Sequence, residues 1–143
     1  MMTRYENIVV DLICRALAPF ILLFALYVVT HGHHSPGGGF QGGAILAASV
    51  ILLRLSLGKE RTSRKFPPRL APILGAIGLL IYSGTGLATL LWGGMYLDYA
   101  YLPIPEVSGA SLRYLGILIV EIGIALAVFG IVLSIFDNLV EGE

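Results

Sequence analysis

Apolar runs long enough to cross a lipid bilayer recur four times in this chain, and no other feature constrains its fold so tightly. A transmembrane helix needs roughly 20 predominantly apolar residues. The runs at about 8–29, 36–57, 70–92 and 112–136 approach or exceed that length. Hydrophobic residues fill 57% of the 143 positions and charged residues 13%, more apolar surface than a water-soluble fold of this size could hide. Inside hydrocarbon every backbone amide must be satisfied internally, which leaves helices or a closed barrel, and these runs lack the alternation of barrel strands. The expectation is an all-α, polytopic membrane protein, with residues 1–143 forming one four-helix transmembrane domain and no soluble domain.

Orientation follows from the basic residues. Lys59, Arg61, Arg64, Lys65 and Arg69 lie between the second and third runs, with Arg54 just before them, whereas 30–41 and 93–111 contain no Lys or Arg. The loop 58–69 is therefore expected on the cytoplasmic side, with both termini inside, in a multi-pass protein of the cell membrane. The first run is too long for a signal-peptide core, carries Asp11 and Arg15, and is followed by no small-residue cleavage pattern, so it is expected to remain as an anchor. Trp92, Tyr96, Tyr99 and Tyr101 suit the opposite interface, where a ring can be half wet. Formal net charge is zero, which gives no reason to expect a nucleic-acid partner, and the basic loop suits lipid headgroups. The lone Cys14 can form no internal disulfide.

Residues 31–43 read HGHHSPGGGFQGG, a polar, glycine-dense hinge between two spans. It contains Gly37-x-Gly39-x-x-Gly42, but that fingerprint signifies a dinucleotide site only between a strand and a helix, and here it follows a transmembrane run. His31, His33 and His34 lack the further ligands a zinc site needs, so no metal and no cofactor are expected. Ser35 suits a helix cap and Pro36 a first helical position. Gly37, Gly38 and Gly39 would then leave a turn bare of side chains, able to approach another backbone or to offer amides and carbonyls to an ion. A side chain at Gly38 is expected to prise such a contact apart. His31 and His33 have the intrinsic pKa of a proton relay, and suit equally the role of polar caps at the interface.

Span four sets Gly116, Gly123 and Gly130 at seven-residue intervals, with Ala127 and Ser134 continuing the same flank. Such stripes mark close helix packing in lipid, and Gly39-x-x-x-Gly43, Gly84-x-x-x-Ala88 and Ala71-x-x-x-Gly75 repeat the theme. Glu121, two residues before Gly123, leaves the helix about 200° away from the stripe. Span four thus has two occupied faces, which four helices alone would have difficulty covering. An intramembrane acid is costly unless paired, protonated or hydrated, so Glu121 is a candidate for an ion pathway. Asp11 and Arg15, one turn apart on span one, read either as a local ion pair or as further members of that pathway. No nucleophile–base pair or carboxylate dyad is present, so no catalytic residue is assigned and the chain is not expected to be an enzyme by itself.

The segment FALYVVTHGHHSPGGGFQGG, the LIYSGTGL stretch of span three and the Glu121-x-Gly123 pair resemble the MnhB (MrpB) component of Mrp (Mnh) multisubunit sodium/proton antiporters, over essentially the whole chain. The resemblance implies an accessory four-helix subunit among other membrane subunits of a complex that exchanges Na+ for H+. The positions it carries over are Gly32, His33, Ser35, Pro36, Gly37, Gly38, Gly39, Phe40, Gly42, Gly43 and Glu121. A similar module is built into the sodium-pumping membrane arm of hydrogenase-type respiratory complexes, and a purely structural packing subunit that moves no ion is the remaining alternative.

Overall fold

A computed structural model describes residues 4–32, 38–64, 66–105 and 107–141, and the described residues contain helices and no strand. The four long helices are α1 (Arg4–Thr30), α2 (Gly38–Leu57), α4 (Leu70–Leu91) and α5 (Ala110–Glu141), with a short α3 (Lys59–Ser63) in the basic loop and a 3-10 turn at Tyr99–Tyr101. Each long helix contains a stretch apolar enough to span a membrane: Ile8–Thr30, Gly38–Leu57, Leu70–Leu91 and Ala110–Val140. Four helices of spanning length are thus present, as expected from the four apolar runs. Gly38 and Gly39 belong to α2, and α5 extends beyond the apolar run at both ends. Placed in α2, these glycines form a packing surface, while the amides of Gly38 and Gly39, in its first turn, have no partner within the helix ladder.

The helices form a row, one helix thick, in the order α1, α2, α5, α4. Close backbone approaches join α1 to α2, α2 to α5 and α5 to α4, with a slighter one between α1 and α5, while α2 and α4 make none among the described residues. Since α5 sits between α2 and α4, the segment 58–69 has to pass α5 to reach α4. Phe66 marks that passage, packing edge-on to Phe129 with ring centroids 5.5 Å apart beside the fully buried Ala47, Ala71 and Leu133. The expectation that four helices could not cover both faces of span four is not met: α4 takes the glycine stripe and α2 takes the face of Glu121. What stays uncovered is the two broad sides of the row and the outer flank of α1, where Phe20, Leu23, Phe24 and Tyr27 are exposed.

Missing side chains set these spacings. A Cβ on Gly78 would collide with the backbone of Ala127 and Gly123, and one on Gly130 with that of Ala71 and Gly75. On the other side of α5, a Cβ on Gly43 would lie 2.5 Å from the carbonyl oxygen of Ala125. Backbones approach this closely only where nothing projects between them. Gly84 is different: it faces open space, so Gly84-x-x-x-Ala88 is not a packing motif within this chain.

The row is staggered. Glu121 of α5 lies level with Gly32 and Gly39, where α1 ends and α2 begins, and Gly123 lies level with Gly78 and Ile81 of α4. From there α4 runs on to Leu91, about 20 Å further at 1.5 Å per residue. The end of α1 and the start of α2 are thus recessed below the end of the α4–α5 pair. Helix α4 stops in a Schellman motif, in which Gly93 (φ 88°) takes the left-handed conformation while Gly94 N–H donates to Thr89 O at 3.0 Å and Gly93 N–H to Leu90 O at 3.1 Å.

Candidate functional site

The site is built around Glu121, at the point where α5 crosses the recessed hinge. A Cβ on Gly39 would lie 2.5 Å from the Glu121 carbonyl oxygen and 3.0 Å from its Cα, so α2 presses its bare backbone on that residue. A Cβ on Gly32 would lie 2.7 and 2.9 Å from the two carboxylate oxygens, so the carboxyl rests on the last described turn before the hinge. Gly32 and Gly38 close the cradle, since a Cβ on Gly38 would overlap the Cα of Gly32 and approach the Val28 carbonyl oxygen at 3.1 Å. The close backbone contact expected at Gly38 is therefore present. Glu121 Oε2 is sequestered from the surface, although the residue as a whole is half-buried.

The loop after α4 folds over the same place. Thr89 Oγ1, itself donating to Gly86 O at 2.9 Å, accepts from Leu97 N at 3.0 Å and holds that residue at a positive φ of 63°. The Asp98 side chain then caps the 3-10 turn by accepting from Ala100 N at 3.3 Å. These bonds turn Tyr99 inward onto Gly116, where an added Cβ would lie 2.7 Å from the tyrosine Cβ, Cγ and Cδ1. Burial, then the neighbouring Tyr82, then the Glu121 carboxylate push the Tyr99 phenol above its ordinary pKa of 10.0. Tyr99 thus keeps its proton and remains a donor near the acid. Of the four aromatics expected at the interface, Trp92, Tyr96 and Tyr101 are exposed and Tyr99 is not.

Residues 9–134 match the family described as "Domain related to MnhB subunit of Na+/H+ antiporter". The chain belongs to this MnhB family. It is 30% identical over 132 residues to the B-type component of the Na(+)/H(+) antiporter of Bacillus subtilis, an alignment that covers 87% of this chain and 92% of the relative. It is 33% identical to the protein of the same name from Alkalihalophilus pseudofirmus, covering 87% of this chain and 91% of that one. With a Staphylococcus aureus protein named as the putative antiporter component mnhB2 it shares 37% over 131 residues, covering 86% and 92%. The resemblance carried by the hinge is therefore shown, and with four spanning-length helices the chain is a multi-pass membrane protein of the MnhB family.

In this MnhB chain the structure unites Glu121 with Gly32, Gly38 and Gly39, and sets Gly42 against Val29 of α1 and Gly43 against Ala125 of α5. Phe40 points outward. His33, Ser35, Pro36 and Gly37 lie outside the described residues. His31 stacks on Tyr27, with centroids 4.2 Å apart, and its Nδ1 lies 3.1 Å from the Tyr27 carbonyl oxygen, an interface cap in form. Asp11 and Arg15 are not paired with each other and lie toward the opposite end of α1, about 30 Å and about 24 Å from the hinge at 1.5 Å per residue.

An ion pair that sequence reasoning missed occupies that far end. Arg54 of α2 and Asp137 of α5 form a salt bridge with both side chains almost wholly buried, and Arg54 Nη2 also donates to Phe66 O at 3.2 Å. The signal was present: one charge of each sign falls near the end of an apolar run. Only the parallel course of α2 and α5 brings them to one depth.

Proposed function

We propose that this chain is a non-catalytic membrane subunit of a multisubunit Na+/H+ antiporter, packed among other membrane subunits, and that Glu121 belongs to its ion route. The observation that carries this reading is the Glu121 carboxyl held at a helix break, on glycines so close that no side chain fits between. An acid set at such a depth between α5 and the hinge glycines is expensive unless paired, protonated or hydrated, which marks it as a candidate for an ion route. The names of the relatives supply the exchanged ions. The uncovered sides of the row suit neighbouring helices and lipid. The basic loop 58–69 supports the orientation with both termini in the cytoplasm.

The test is Glu121→Gln, which keeps the shape of the side chain and removes its charge. Expressed with its companion subunits in cells lacking their own exchanger, the variant should assemble in normal amount while Na+-dependent dissipation of a pH gradient in inside-out vesicles falls. Undiminished exchange would take Glu121 out of the route, and loss of the complex itself would make the residue structural.

A further inference from the structure

At the basic-loop end, away from Glu121, a cavity of about 580 Å³ opens between α1, α2 and the segment after α2. Its walls include Leu22, Val50, Leu53 and Phe66, and Arg15 and Arg61, both exposed, stand in its lining. Ser49 Oγ donates to Ala18 O at 3.3 Å, tying α1 to α2, and Arg15 sits one turn nearer the loop. The second lining hydroxyl, Thr62 Oγ1, lies 3.1 Å from Gly58 O and 3.4 Å from Leu53 O. Both hydroxyls spend their protons on the chain's own carbonyls, so Arg15 and Arg61 supply the remaining side-chain donors among the lining residues.

Neither arginine has an acid partner among the described residues. Asp11 does not pair with Arg15, and Asp137 of α5 is engaged by Arg54. An arginine seven residues inside the span Ile8–Thr30 needs an anion or water within reach. Its planar fork of donors matches a phosphate. A free phosphate would leave the apolar walls bare, and a partner helix would have to bury an acid to answer two cations. An anionic lipid meets both demands at once. The volume also falls within the range of about 300–1,000 Å³ usual for small-molecule sites.

We infer that this cavity is an anionic phospholipid site, with the headgroup phosphate held by Arg15 and Arg61 and an acyl chain lying along Leu22, Val50, Leu53 and Phe66. The site is separate from Glu121 and does not depend on an ion passing there.

The experiment uses the full chain purified in detergent with its co-purifying subunits, and phosphatidylglycerol bearing a photoactivatable acyl chain. Crosslinks mapped by mass spectrometry should fall on the peptides containing Leu22 and Val50–Leu53, and the phosphatidylcholine analogue should label them weakly. The double variant Arg15→Gln with Arg61→Gln should lower phosphatidylglycerol labelling by roughly 30-fold, the scale of two basic side chains acting on one anionic headgroup. Val50→Trp, which fills the cavity and keeps both arginines, should abolish labelling while helicity and elution volume stay unchanged. Equal labelling by the two lipids, or full labelling of the arginine variant, would overturn the proposal. So would competition by millimolar inorganic phosphate, which would mark a free-anion site. Labelling that appears only after the companion subunits are stripped away would also overturn it, by assigning the cavity to a partner helix.

Discussion

Adding one methyl group at Gly39 tests whether Glu121 is positioned by the absence of a side chain. The alanine Cβ would lie 2.5 Å from the Glu121 carbonyl oxygen, 3.0 Å from its Cα and 3.1 Å from its carbonyl carbon. All three are backbone atoms of α5, so no rotamer change relieves the overlap. To reach the 3.4 Å of ordinary contact the helices must part by about 0.9 Å. Helix α2 has little room to retreat, because a Cβ on Gly42 already overlaps Val29 of α1 on its other flank. Overpacking of this kind costs about 1–3 kcal/mol. The gain of roughly 0.5–1 kcal/mol that alanine brings to a helix in water is muted here, since spanning helices keep their hydrogen bonds even when separated in lipid. A net loss of about 1–2 kcal/mol is expected, with Glu121 displaced from Gly32. The control is Gly84→Ala, where nothing lies within 4 Å and the change should stay within about 0.5 kcal/mol. Thermal unfolding in detergent, run beside the exchange assay, reads both effects: Gly39→Ala should melt earlier and exchange more slowly than Gly84→Ala. Indistinguishable melting of the two variants would refute the packing argument whatever the function proves to be.

At the other end, Arg54→Met should cost about 3–5 kcal/mol by depriving buried Asp137 of its guanidinium partner, and adding Asp137→Leu should recover much of the loss, as read from thermal midpoints. The raised pKa of Tyr99 means that the folded protein keeps a proton which the unfolded chain releases above pH 10.0, so this stabilisation is intact below that pH and is lost as pH rises through the raised value. Tyr99→Phe should accordingly blunt the alkaline decline in thermal midpoint, and an identical decline in both proteins would count against the burial of that phenol.

Much of this was legible because lipid leaves few options. Run length and the demand for internal hydrogen bonds determined four helices and their approximate ends before any packing was considered. Spacing alone set Gly123 and Gly130 on one flank of α5 and Glu121 on another, since helical periodicity is a local property. The hinge composition disclosed the family, and the family match over residues 9–134 confirmed it.

Periodicity is silent about which helix meets which face. Only the tertiary structure decided that α5 lies between α2 and α4, so that its two faces are covered from within the chain. It also decided that Gly84 packs on nothing while Gly78 sets a helix distance. The pairing of Arg54 with Asp137, the inward turn of Tyr99 and the meeting of Gly32 with Glu121 depend on the depth at which distant segments pass one another. Helix order and stagger are set by the sum of many close contacts along the whole row. That is why a sequence read one span at a time could name the acid and the glycines without showing that they touch.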